Sequence, residues 1–181
     1  MSGQVRIIGG QWRGRRLTVA HSESLRPTPN RVRETLFNWL GQTLFEQTCL
    51  DLFAGSGALG FEAASRGATR VVMVEQAPKV AHSLQQHVQT LGAQTIEVMQ
   101  VDAWHWLKNN TETFDVIFLD PPFHKNWVPE LLPLLLPILK SNGVVYCETM
   151  NGVPHLAGWC TVKQKKAGRV HYELLERFYE H

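Results

Sequence analysis

From Thr48 onward, short apolar runs rich in β-branched residues alternate with longer helical patterns, and few folds accept that rhythm. The runs RVVMVE (70–75) and FDVIFL (114–119) lack the polar–apolar alternation of a half-exposed strand, so they belong in a parallel sheet covered on both faces. Strands are expected over 48–53, 70–75, 95–101, 114–119 and 143–148, and helices over 58–66, 78–91, 102–109 and 126–139. Pro78 suits the first turn of the second helix, whose Val80, Leu84, Val88 and Leu91 share a face, whereas Pro129, Pro133 and Pro137 blur the last one. The rhythm breaks at the C-terminus, where 161–165 and 170–178 flank a short turn with Gly168 and read as an antiparallel hairpin. The expected class is α/β, with a mostly parallel seven-stranded sheet ending in that hairpin.

The N-terminal part reads differently. Residues 4–8 and 16–19 pair as a small hairpin across Gly9, Gly10 and Gly14. Thr28 then caps a helix with Pro29 at its first position and Val32, Leu36, Trp39 and Leu40 on its apolar face. Arg31 and Arg33 are expected on the opposite side of that helix. The formal charge of +2 hides a split: residues 1–33 carry seven arginines (Arg6, Arg13, Arg15, Arg16, Arg26, Arg31, Arg33) against Glu23 alone, and the remaining 148 residues sum to −4. A basic arm on a mildly acidic body suits a polyanionic partner. Lys163, Lys165, Lys166 and Arg169 offer a second basic stretch at the terminal hairpin, equally readable as solvated turn residues. With 181 residues, one domain and a small appendage are expected: a basic extension over 1–28 and a catalytic domain over 29–181. Three cysteines without CxxC spacing argue against a disulfide framework and for a reducing cytoplasm. The sequence suggests no metal site, signal peptide or membrane segment.

The segment from Asp51 to Gly60, DLFAGSGALG, follows one expected strand and opens a helix. Its glycines spell GxGxxG, and Glu75 ends the next strand 20 residues after Gly55. Such glycines let backbone approach a nucleoside closely, and such an acid accepts hydrogen bonds from ribose hydroxyls. A pyrophosphate would be repelled by Asp51, just ahead of the glycines, whereas an ammonium and a sulfonium would be welcomed there. An NAD-linked oxidoreductase therefore explains GxGxxG but not Asp51. Here the chain resembles the class I S-adenosylmethionine-dependent methyltransferases, whose sheet ends in a similar hairpin. The resemblance implies a cofactor site of Asp51, Phe53, Ala54, Gly55, Ser56, Gly57, Gly60, Glu75, Asp102 and Ala103, with Asp102 against the adenine. It also implies S-adenosylhomocysteine (SAH) as the second product.

Asp120-Pro121-Pro122-Phe123 lies at the carboxyl end of the strongest strand, facing the same crevice. An exocyclic amino group on a nucleobase is a poor nucleophile because its lone pair is delocalised into the ring. Hydrogen bonds from its protons to the Asp120 carboxylate and the Pro121 carbonyl would localise that pair. Two prolines hold those acceptors in place, and Phe123 offers a face on which a flipped-out base can stack. The tetrapeptide resembles the (D/N/S)PP(Y/F) motif of amino-methyltransferases, and its Asp is more similar to the nucleobase-modifying branch. The residues alone fit guanine N2 and adenine N6 equally. Arg6-Ile-Ile-Gly9-Gly10 and the run from Arg26 to Asn38, RPTPNRVRETLFN, resemble the N-terminus of the RsmD family, except that Asn30 stands where the family usually has Asp. That resemblance implies a bacterial 16S ribosomal RNA (guanine-N2)-methyltransferase acting on guanine 966, in the usual ribosomal numbering. It implies a small subunit or assembly intermediate as substrate, a monomer, and catalysis by Asp120, Pro121, Pro122 and Phe123. A non-catalytic assembly factor on the same fold would have no need of an intact DPPF and glycine loop. The arm arginines are expected to contact RNA phosphates. Trp104, Trp106, Trp127 and Trp159 are expected to pack in or around the core.

Overall fold

The computed structural model describes residues 3–20 and 27–179. An antiparallel pair, β1 (Gln4–Arg6) and β2 (Arg16–Thr18), precedes helix α1 (Asn30–Trp39). The body then alternates β3 (Thr48–Asp51), α2 (Ala58–Ser65), β4 (Arg70–Val74), α3 (Pro78–Leu91), β5 (Ile96–Met99), α4 (Ala103–Asn109) and β6 (Phe114–Leu119). Helix α5 (Val128–Leu135) leads into β7 (Leu139–Thr149), and β8 (Trp159–Ala167) and β9 (Val170–Arg177) close the chain. The sheet runs β5-β4-β3-β6-β7-β9-β8, parallel as far as β7, with β9 antiparallel to β7 and to β8. Strand order reverses between β3 and β6, and ligands in such sheets bind at the crevice where the connections diverge.

Two apolar layers sandwich the sheet. Phe37, Phe61, Met73, Phe118 and Tyr146 fill the side covered by α1, α2 and α3, and Ile7 and Leu17 of the β1–β2 hairpin join that cluster. Trp106, Phe114, Leu131 and Leu135 fill the other, under α4 and α5. Trp159 is buried with them, and Trp104 and Trp127 pack at the rim, as expected. Near-continuous burial along β4 and β6 matches their unbroken apolar runs. No helix among the described residues is long and apolar enough to cross a membrane.

Most expected elements form, many with ends a residue or two shorter, whereas β7 begins at Leu139, four residues before the strand expected over 143–148, and β8 extends two residues beyond 161–165 at each end. The helix expected over 126–139 is divided: a 3-10 turn at Phe123–Lys125 precedes α5, and a second at Leu136–Ile138 follows it. Pro137, which cannot donate into an α-helical ladder, sits in that second turn. Thr28 does not cap α1. The cap position is Pro29, with no side-chain capping bond, and the Thr28 hydroxyl instead donates to Glu148, 2.9 Å away. Arg33 is not on the exposed side of α1 either.

Its side chain is 1% exposed, among the most buried in the protein, and its donors are consumed internally. It donates to the carbonyls of Thr28 (3.2 Å) and Arg6 (2.9 Å), to Glu62 (3.2 Å) and to Asn30 Oδ1. Burial pulls its guanidinium below its usual range while Glu62 works to restore it. The RNA contact expected of Arg33 is therefore corrected to a structural role. Glu62 on α2 is fully buried and also accepts from the backbone N–H groups of Ile8 (3.0 Å) and Gly9 (2.8 Å) and from Arg66 Nε (2.9 Å). One carboxylate thus ties the hairpin to α1 and α2, and His87 of α3 adds a bond to the Thr18 carbonyl at 2.6 Å.

Candidate active site

The crevice at the carboxyl ends of β3, β4 and β6 is a cavity of about 450 Å³, within the usual size of a small-molecule site. Its floor begins with the turn after β3. Gly55 and Gly57 both have left-handed backbone, with φ of +52° and +79°, and Gly57 ends the turn as the cap of α2. A Cβ at Gly57 would lie 2.6 Å from the Phe61 ring, and one at Gly60 would lie 2.7 Å from Met73 and 3.2 Å from Asp51. The GxGxxG pattern is thus required by the turn and by the seating of α2 on β4.

Carboxylates hold this turn open from two sides. Asp51, 2% exposed, accepts the Gly60 N–H at 3.0 Å across the first turn of α2. Glu75 accepts from Gly55 N–H on one oxygen and Ala77 N–H on the other, each at 2.9 Å. Asp102 caps α4 by accepting the His105 N–H at 3.0 Å, and Ala103 is buried beside it. Phe53, Ala54 and Ser56 line the same wall, and Phe53 meets Trp127 with ring centroids 6.1 Å apart. Of the cofactor residues expected from sequence, Gly57 and Gly60 shape the turn from behind, and the others border the cavity.

Asp120, Pro121, Pro122 and Phe123 border the cavity across from the glycine turn. Pro121 is buried, and the Phe123 ring is 41% exposed, as a stacking platform must be. A smaller adjoining hollow is lined by Pro121, Pro122, Phe123 and Trp127, and by Met150 and Gly152 after β7. Two residues to which the sequence assigns no part in the site also border the main cavity: Thr28, expected only as a helix cap, and Glu148, expected only as a strand end. Glu148 follows Cys147, the register partner of Leu119, so it stands beside Asp120 on the neighbouring strand. That signal was present in the sequence only as an acid ending an apolar strand, and choosing it required knowing that β7 adjoins β6.

Among the described residues, five carboxylates therefore face one cavity, Asp51, Glu75, Asp102, Asp120 and Glu148, and no lysine or arginine lines it. Burial pushes Asp51 up to about 7 against the pull of the Gly60 hydrogen bond, with Glu75 and Glu148 adding to the rise. Asp120 is raised well above the usual carboxylate range by burial, then by Glu148 and Asp51. Glu148 is raised by burial, although Thr28 and Tyr146 donate to it. A pyrophosphate meets no counter-charge among the described lining residues, whereas a cationic nucleoside meets both the ribose-type acid Glu75 and a wall of acidic side chains. The residues present fit S-adenosylmethionine and not a dinucleotide.

The arm arginines divide. Arg6, Arg13, Arg15, Arg16 and Arg31 are exposed, Arg33 is buried, and Arg26 lies outside the described residues. The hairpin tip rests on the far end of α2, where Gln11 N–H donates to the Ser65 carbonyl at 2.8 Å. It is thus one helix length from the glycine turn, about 12 Å for eight residues.

Comparison with known proteins agrees with this geometry. A family model described as Conserved hypothetical protein 95 matches residues 5–176. Ribosomal RNA small subunit methyltransferase D of Haemophilus influenzae is 46% identical, covering 96% of this chain and 94% of that protein. The Escherichia coli protein of the same name is 43% identical over 97% of this chain and 91% of its own. A solved Escherichia coli structure, yhhF, superposes with a TM-score of 0.88 at 40% identity, covering 98% of this chain and all of that one. SMU.776, solved with SAH, shares the fold with a TM-score of 0.71 at 16% identity, over 90% of this chain and 53% of that one. With near-complete coverage by named relatives and a cavity built for a cationic nucleoside, the chain belongs to the RsmD family of class I S-adenosylmethionine-dependent methyltransferases.

Proposed function

We propose that the protein methylates the exocyclic N2 of one guanine of 16S ribosomal RNA, carried by the small ribosomal subunit or an assembly intermediate of it. The observation that carries the reading is the meeting of two features in one cavity: a carboxylate-lined cationic nucleoside site and the DPPF loop. Asp51, Gly55, Glu75, Asp102 and Ala103 would hold the cofactor, which when bound supplies a methyl group on a sulfonium centre.

The protein's own part is to make a weak nucleophile adequate. Asp120 and the Pro121 carbonyl accept the two N–H bonds of the amino group, drawing its lone pair out of conjugation with the ring. Because these acceptors sit on a loop stiffened by two prolines, they need no reorganisation as charge develops. After transfer the nitrogen carries an extra proton, and Asp120 takes it. Its raised pKa makes it a stronger base than an ordinary carboxylate, while burial beside Glu148 and Asp51 is the cause. Phe123 stacks on the extruded base, worth about 1–3 kcal/mol. Pro122 keeps Phe123 at the rim. The exposed Arg6, Arg13, Arg15, Arg16 and Arg31, with Arg26, supply phosphate contacts.

Radiolabelled methyl transfer to undermethylated small subunits, followed by location of the modified nucleotide, tests the reading directly. Asp120→Ala should keep its affinity for S-adenosylmethionine and lose methyl transfer by about 10³-fold or more. Full activity in that variant, or label on a base other than guanine, would overturn the assignment.

A further inference from the structure

Glu148 is 5% exposed, yet it borders both the main cavity and the hollow beside the DPPF loop. One of its oxygens, Oε1, accepts two hydrogen bonds, from Thr28 Oγ1 at 2.9 Å and from Tyr146 OH at 3.0 Å. Neither donor touches Oε2, which has no protein partner among the described residues. With one oxygen doubly anchored and the other bordering the cavity without a donor among the described residues, the carboxylate is held ready to accept from a ligand. Its position says what that would be. Leu119 and Cys147 are register partners on parallel strands, so Asp120 and Glu148, the next residues, stand about one strand spacing apart, ~4.8 Å. The adjacent donors on a guanine edge, N1–H and N2–H, form a ladder of matching direction for two such acceptors.

Resting on the function proposed above, we propose that Glu148 is a specificity-determining residue: its Oε2 accepts the N1–H of the target guanine while Asp120 accepts from N2–H. Thr28 and Tyr146 aim the carboxylate. Adenine presents a lone pair at N1 and would face Glu148 acceptor to acceptor, so this contact separates guanine N2 from adenine N6. Burial raises the proton affinity of both carboxylates, and Glu148 adds to that of Asp120, so a base that brings a donor to each relieves them.

2-Aminopurine probes the contact, because it keeps the 2-amino group and replaces the N1–H with a lone pair; it also lacks O6, so the change of preference in a Glu148 variant is what assigns the effect to N1–H. Small subunits are reconstituted with either guanine or 2-aminopurine at the target position, and initial rates are compared. The wild-type protein should prefer guanine by roughly 10- to 100-fold, the usual worth of one direct base contact. In Glu148→Gln, the Thr28 and Tyr146 donors select the amide oxygen at the Oε1 position and leave the NH2 facing the base. At saturating S-adenosylmethionine, that variant should slow on guanine and quicken on 2-aminopurine, cutting the ratio by about tenfold or more. An unchanged ratio in Glu148→Gln overturns the role of Glu148 alone. A wild-type ratio near one overturns it without any variant. Failure of the wild type to methylate guanine-bearing subunits would instead overturn the function on which the proposal rests.

Discussion

Asp51 shows how one side chain serves two masters. Its carboxylate accepts the Gly60 N–H and so seats α2, yet burial and the neighbouring Glu75 and Glu148 push its pKa up to about 7. The folded protein therefore holds a proton that the unfolded chain, near the ordinary value of about 3.9, has already lost. Stability from this group is full at acid pH and is lost as pH rises through about 7. A cationic cofactor acts in the opposite sense, because it binds the ionised form. S-adenosylmethionine affinity, measured by titration calorimetry, should rise between about pH 6 and about pH 8 and then level off. Asp51→Asn keeps an acceptor for Gly60 N–H but no charge. It should flatten that profile, weaken binding, and raise the melting temperature at about pH 8 by ~2 °C or more. A variant that binds as tightly as wild type at alkaline pH would show that the cavity's negative charge is not what holds the cofactor.

Helix α2 is where sequence and structure part most usefully. Its eight residues are all buried, so it has no solvent face, and Glu62 at its centre looks anomalous until its four donors are counted: Ile8, Gly9, Arg33 and Arg66. Glu62→Ala would leave the Arg33 guanidinium buried without its counter-ion and two hairpin N–H groups unpaired. It should cost about 3–5 kcal/mol of stability in denaturant unfolding. A loss under ~1 kcal/mol would mean that the hub is not needed to hold the hairpin. The strands of the sheet were legible from their unbroken apolar runs, and GxGxxG and DPPF from their placement after those strands. The Glu62–Arg33 pair was not, because a helix-face argument assigns arginine to solvent unless a partner is known, and this partner is 29 residues away. Thr28 was misread for a related reason: local spacing favours an N-cap, whereas its hydroxyl answers to Glu148, 120 residues on. Asn30 in place of Asp proves mild at this scale, since its Oδ1 supplies the acceptor that Arg33 uses.

At the scale of the molecule, the charge split becomes a spatial one. The carboxylates gather at the carboxyl ends of the strands, while the arm's tip, with Arg13 in its turn and Arg15 and Arg16 following, rests on Ser65 at the opposite end of α2. A substrate that fills the cavity and also touches the tip must span about 12 Å or more of protein surface. A short oligonucleotide bearing the target base would reach the first and not the second, whereas folded RNA in a subunit would reach both. Replacing Arg13, Arg15 and Arg16 with alanine should therefore weaken binding to small subunits by about tenfold or more. It should also lower the salt dependence by roughly one unit of slope for each phosphate that the arm no longer neutralises. Binding of a short target oligonucleotide, and of S-adenosylmethionine, should stay within about twofold of wild type. Equal effects on subunit and oligonucleotide would place the arm beside the target base instead, and would require the hairpin to swing away from α2. The buried Ile7 and Leu17 side chains and the Glu62 hydrogen bonds oppose that motion. Breaking those bonds with Glu62→Ala while leaving the arginines intact then gives a second reading of the same question. If the arm works from a fixed position on α2, loosening it should erode subunit binding much as removing its charges does.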